Sequence, residues 1–181
     1  MRREHRGVYV YGGGALSQDG WLYAATRAIG DDAALGHVAA ALHLGFWPYS
    51  RPDRAEVIVP RRIRSRRLVR VHEVVELPED AVTVVRGVRV TTAARTVMDL
   101  AGSLHSDRAF RRMVHEGQVK GVLRFADLAA EFERAPFSVP GKTRLLIELE
   151  AGSTKTRSGF EVEIATTGRR GAKSRTPTNA S

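Results

Sequence analysis

Cysteine is absent from the 181 residues, which excludes disulfide frameworks, thiolate metal sites and cysteine nucleophiles. No apolar run reaches the length of a membrane-spanning helix. The apolar stretch behind the basic start "MRREHRGVYVYGGG" is also too short for a signal peptide, so a soluble, cytoplasmic protein is the expectation. Lysine is scarce: Lys120, Lys142, Lys155 and Lys173 are the only ones. Many nucleases set an acid two residues before a lysine around a metal, but the residues at that offset here are Gln118, Pro140, Ser153 and Gly171. His37 and His43, like His105 and His115, lack the i, i+4 spacing that puts two metal ligands on one helical face. No G-x-S-x-G elbow, P-loop or G-x-G-x-x-G fingerprint occurs, and "YGGGA" reads as a turn because it lacks the lysine and hydroxyl residue of a phosphate cradle. No catalytic residue, metal or cofactor is therefore expected.

What is present is positive charge, concentrated in two places. The chain carries 29 basic and 20 acidic residues. The run "PRRIRSRRLVRVH" holds Arg61, Arg62, Arg64, Arg66, Arg67 and Arg70 without an acid, and residues 165–181 hold Arg169, Arg170, Lys173 and Arg175, again without one. Outside these two segments the charges almost cancel, so a polyanion contact is to be sought within them. Arginine grips phosphate bidentately and stays charged, which makes the six arginines a candidate nucleic-acid-binding patch. The alternative is a solvated basic hairpin, or one paired with acids such as Glu76, Glu79 and Asp80. Few aromatics lie near the run, so base stacking is not expected.

Length suggests one domain of about 150 residues with an appendage, and 43% hydrophobic residues suffice for a core. "GVYVY" (7–11) reads as a strand, Ser17 caps a helix to about Ile29, and a second helix covers about 36–46 before Pro48. Between Ala55 and Val90 the period shifts: "AEVIVP", "RLVRVHEV", "AVTVV" and "GVRVT" are short valine-rich strands. In the second of these, Val69, Val71, Glu73 and Val75 make the better core face and leave Arg70 and His72 outward. "TTAARTVMDLAG" (91–102) opens on a threonine cap and carries an apolar stripe; further helices are expected over about 106–117, 124–134 and 142–151. The fold class is α+β, with short, mainly antiparallel strands packed with helices in the first half and a helical second half. From Ala165 to Ser181 there is no Val, Leu, Ile, Phe or Met, the composition of a disordered basic tail.

The segments "HRGVYVYG" (5–12), "ALGHVAAALHLGFW" (34–47), "GVRVTTAARTVMDLAG" (87–102) and "TRSGFEVE" (156–163), in this order and spacing, resemble the AbiEi-type antitoxin-like family of actinobacteria. Members of that family often continue into a very-short-patch-repair-like endonuclease domain. The resemblance implies a winged helix-turn-helix before the first segment, where this chain has only Met1 to Glu4, and nuclease acids on strands beyond the fourth. It thus implies the middle of a longer protein, with the DNA-reading head missing and the nuclease barely begun. Residues 1–152 are then the antitoxin-like domain, 153–164 a linker and first helix of a truncated nuclease-like domain, and 165–181 the tail, with a frameshift or gene remnant near Ala165 as one explanation. Thr92, Arg95, Thr96 and Asp99 are the candidates for family-defining polar contacts; the plainer reading is a cap and a salt-bridged helix locking helical and strand layers together.

The function expected on this basis is non-enzymatic: an antitoxin-like protein of a toxin–antitoxin, phage-defence or transcription-control system. Its partners are a cognate toxin or its operon and a DNA or RNA backbone held by the arginine patch; the oligomeric state stays open. The alternative is a fragment of a very-short-patch-repair-like endonuclease, inactive because Glu161 and Glu163 alone cannot hold and use a metal.

Overall fold

The computed structural model describes residues 2–5, 8–10, 15–135 and 140–151. Strands β1 (Arg2–His5) and β2 (Val8–Val10) pair antiparallel and lie against helix α1 (Gln18–Ile29). Ser17 caps α1 as its hydroxyl accepts from the Gly20 amide at 3.1 Å, satisfying one of the free donors of a helix start. After β3 (Ala34–Leu35) come α2 (His37–His43), β4 (Ala55–Val59), β5 (Val69–Glu73) and a 3-10 turn (Glu79–Ala81). The hairpin β6 (Val82–Val85) and β7 (Val88–Thr91) leads into α3 (Ala93–Ser103), α4 (Asp107–Val119), α5 (Phe125–Arg134) and a last helix, α6, over residues 142–151.

The α+β class holds, with the strands early and the helices late. The main sheet has the order β5-β4-β3-β7-β6 and is mixed. β3 pairs antiparallel with β4 and β6 with β7, whereas β4–β5 and β3–β7 are parallel. Alternating side chains dictate which face a strand buries but not its direction, and the connection over residues 60–68, shorter than the usual crossover between parallel neighbours, returns the chain to the start of β4.

Two cores result. One face of the sheet (Leu35, Val57, Val59, Val69, Val88, Val90) packs with Trp21, Leu22, Ala25 and Ile29 of α1. The other core joins Val97, Met98 and Leu100 of α3 to Phe110 and Met113 of α4, Leu128 of α5 and Leu145 of α6. α2 bridges them: Ala39 and Ala40 belong to the first core and Ala41 to the second. The three alanines at the middle of α2 are buried on all sides, and their small side chains keep the layers close. α6 is brought to α3 with its backbone in near contact. Gly141 has φ +82°, and a Cβ there would stand 2.2 Å from the Ala101 carbonyl carbon. Arg144 completes the joint by donating to the carbonyls of Ala101 at 3.0 Å and Leu104 at 2.6 Å.

Candidate functional site

The arginine run forms the connection from β4 to β5, and its side chains do different things. Arg61 is structural in placement: its guanidinium grips Asp32 at 2.6 and 3.0 Å and donates to the Ile29 carbonyl at 2.8 Å, fastening the end of α1. That pairing also holds the Asp32 carboxyl below its ordinary range. Arg62 approaches Glu73 at 3.5 Å while remaining 92% exposed, and Arg70 approaches Glu56 at 3.6 Å. Arg66 forms an antiparallel bridge with Val69, and Arg54 steadies this turn by donating to the carbonyls of both, at 2.8 and 3.2 Å. Arg64 and Arg67 are exposed and make no ion pair among the described residues. Among the described residues Asp32, Glu73 and Glu56 pair with arginines of the run, whereas Glu79 pairs with Arg89 and Asp80 with Arg134.

The polar residues of the α3 segment act locally. The Thr92 hydroxyl caps α3, accepting from the Arg95 amide at 3.3 Å. Thr96 is fully buried, with its hydroxyl 2.7 Å from that of Thr91 and donating to the Thr92 carbonyl at 2.8 Å. Arg95 binds Asp99 one turn on at 3.0 Å. The second Asp99 oxygen is buried without a partner among the described residues. Burial, opposed by Arg95, pushes the Asp99 carboxyl up to about 6.

Beside this helix lies a cluster that spacing along the chain does not disclose. His37, at the start of α2 with φ 50°, stacks its ring on His72 of β5 with centroids 3.7 Å apart. Glu56 of β4 lies under the start of α2: one carboxylate oxygen accepts from the Val38 amide at 3.0 Å, and the other is 3.4 Å from His72 Nε2. Burial works against the Glu56 charge, but His72, His37 and the Val38 amide outweigh it and hold the carboxyl below its usual value. Burial drives His37 down to about 4, with His72 adding to the shift, and its Nδ1 has no partner among the described residues. The face of β5 expected to point outward is therefore half covered: Arg70 reaches solvent, whereas His72 sits between His37 and Glu56.

A cleft of about 240 Å³ opens next to Asp99, between α3, α5 and the 3-10 turn, lined by Arg95, Asp99, Glu131, Arg134, Asp80 and Met98. Its charges answer one another, since Arg134 pairs with Glu131 at 2.7 Å and also with Asp80. Among the described residues no group of three or more histidines and carboxylates could hold a metal ion. None of the described helices is long and apolar enough to cross a membrane. The residues 153–164, with Glu161 and Glu163, and the basic segment 165–181 lie outside the described residues.

These observations define the class: an α+β domain with a five-stranded mixed sheet, an arginine-bearing connection at one end and a buried histidine–carboxylate cluster beneath α2. The particular family follows from comparison. The family model for the AbiEi antitoxin C-terminal domain matches residues 32–149, from β3 through nearly all of α6, and the chain belongs to that family. No curated protein matches the chain, and no solved structure does either.

Proposed function

We propose that this chain is the antitoxin member of a toxin–antitoxin pair serving phage defence or transcription control, and that it acts by binding rather than by catalysis. Family membership over residues 32–149 is the observation that carries this reading. The antitoxin-like unit in this reading spans residues 1–152; the β1–β2 hairpin resting on α1 and the closure of the second core by Leu145 and Leu149 support that extent. Co-expression with the toxin-type product of a neighbouring gene tests it: the chain restores growth, and failure to do so under matched expression removes the assignment.

The second part of the proposal is contact with nucleic-acid phosphates through the β4–β5 connection. The exposed Arg64 and Arg67 support it, since neither has an acid to release first. Arg62, held only by an exposed pair with Glu73 at 3.5 Å, is able to exchange carboxylate for phosphate; Arg70 is itself exposed, but its partner at 3.6 Å is the largely buried Glu56. Arg61 is committed to Asp32. Two to four phosphates then give a slope of log K against log salt of about −2 to −4, shallower than the roughly −5 of a run with every arginine engaged. A salt titration on arbitrary duplex DNA measures it. Absence of binding at low salt, or an unchanged slope after joint replacement of Arg64 and Arg67 by alanine, would remove this half of the proposal while leaving the toxin assignment standing.

A further inference from the structure

The main sheet has two edges, and the chain protects one of them. Along β5 its own groups take up the outward backbone: Val71 donates to the Ser65 hydroxyl at 3.0 Å, and Arg66 and Val69 exchange both backbone bonds at 2.8 and 3.1 Å. Arg70 and Glu73 add charge, a common defence of an edge strand. The β6 edge has neither device. Its run "AVTVV" (81–85) is uncharged, and Val84 is 64% exposed.

The backbone phase of β6 follows from its turn. Arg86 at φ 46° and Gly87 at φ 76° form the two-residue turn with both central residues left-handed, which makes Val85 and Val88 a hydrogen-bonded pair. Alternation then assigns the next ladder bonds to Thr83 with Val90 and to Ala81 with Thr92, and the Thr92 amide does donate to Ala81 at 3.0 Å. Val82 and Val84 therefore turn their backbone groups away from β7. The Val82 amide is taken by the Glu79 carbonyl. The amide and carbonyl of Val84 meet no partner among the described residues.

We propose that this edge pairs with the same edge of a second copy of the chain, β6 antiparallel to β6 about a two-fold axis at Val84. One residue offers both a donor and an acceptor, so the axis produces two reciprocal bonds between the Val84 residues. Thr83 then faces Val85 across the join, a pair of β-branched side chains of the kind that stabilises sheets. The surrounding charges are balanced within each copy: Arg86 pairs with Asp19 at 2.9 Å, Arg89 with Glu79 at 3.9 Å, and Arg134 with Asp80 and Glu131, while Arg124 and Asp127, exposed on the cleft that Thr83 lines, are of opposite sign. That balance favours a like copy, which meets no net repulsion, over a foreign charged strand, which the edge has no net charge to select. Four residues of strand bury less than the roughly 800 Å² per partner of a standard interface, so the association is concentration-dependent, and it places the two arginine connections at opposite ends of a ten-stranded sheet.

The chain's lack of cysteine makes the test direct. A hydrogen-bonded antiparallel pair sets its Cα atoms about 5.5 Å apart, inside the roughly 4.4–6.8 Å that a disulfide spans. Under mild oxidation, Val84→Cys should form covalent dimers at least about tenfold faster than Val75→Cys, whose side chain is fully exposed outside the edge. In sedimentation equilibrium, Val84→Pro, which removes the outward donor without touching the ladder to β7, should weaken association at least about tenfold. Val84→Lys keeps the amide, leaves the fold intact at an exposed position and should weaken association through like charges at the axis; circular dichroism verifies that both variants fold. Cross-linking of Val84→Cys no faster than Val75→Cys, a wild-type chain monomeric at every concentration, or association unchanged in both variants would overturn the proposal.

Discussion

The stability of this domain should vary little with pH between about 5 and 6, because two buried groups titrate in opposite senses there. His37 falls from 6.5 to about 4 on folding. Its lowered value contributes stability that is present above 6.5 and lost as pH falls through 4, because the unfolded chain binds the proton that the folded one refuses. Asp99 rises from 3.8 to about 6. Its contribution is fully present below 3.8 and lost as pH rises through 6, because the folded chain holds the proton longer. Within the window each group exchanges about three-quarters of a proton, or about 1 kcal/mol per pH unit, and the two slopes have opposite signs.

Asp99→Asn leaves His37 unopposed, so urea unfolding should show stability rising with pH by about 1 kcal/mol per unit across the window. His37→Asn, chosen because asparagine tolerates a positive φ, leaves Asp99 unopposed and should reverse the sign. The groups facing His37 are His72, Glu56, Arg95 and Arg70, and those facing Asp99 are Arg95, His72 and Glu131. All of these remain in both variants. Of the lowered carboxyls, Asp19 and Asp32 act mainly below the window and are common to all three proteins; Glu56, whose ordinary value is 4.5 and which His37 helps to lower, adds a smaller rise of stability with pH at the acid end that lessens in His37→Asn. Slopes in both variants equal to that of the wild type would refute the opposed titration.

Gly141→Ala should lower the unfolding midpoint and expose the α6 contact to proteolysis, because the residue is left-handed and its Cβ would meet the Ala101 backbone at 2.2 Å, where no flexible side chain can yield. Thr96→Val should cost about 1–3 kcal/mol in chemical denaturation by stranding the buried Thr91 hydroxyl, whereas Thr91→Val with Thr96→Val should recover much of that loss. Arg61→Ala should destabilise only slightly, since its pair with Asp32 is partly exposed, a small shift that chemical denaturation measures, and should leave the salt dependence of nucleic-acid binding nearly unchanged, unlike replacement of Arg64 and Arg67.

How far the sequence foretold this molecule depends on how local each determinant is. α1, α3 and α4 are legible almost to the residue because Ser17, Thr92 and Ser106 cap them in place and their apolar stripes are continuous. β3 is illegible: Ala34 and Leu35 carry no alternation, yet they occupy the centre of the sheet because β4 and β7 pair with them from far along the chain. The parallel course of β5 is likewise set at a distance, by Arg61 reaching Asp32 and Arg54 reaching the turn at Arg66. The candidate site divides in the same way. The arginines are visible as a run, but which of them are committed depends on acids elsewhere in the chain. The His37–Glu56–His72 cluster had one local sign, a glutamate inside the otherwise apolar strand "AEVIV". A carboxylate in a buried strand needs partners, and here the fold supplies them from α2 and β5, which no spacing in the sequence connects to β4. The charge of the arginine run is partly spent on holding the fold, and of the two groups with opposed shifts Asp99 stood within a visible motif whereas His37 gained its partners only from the fold.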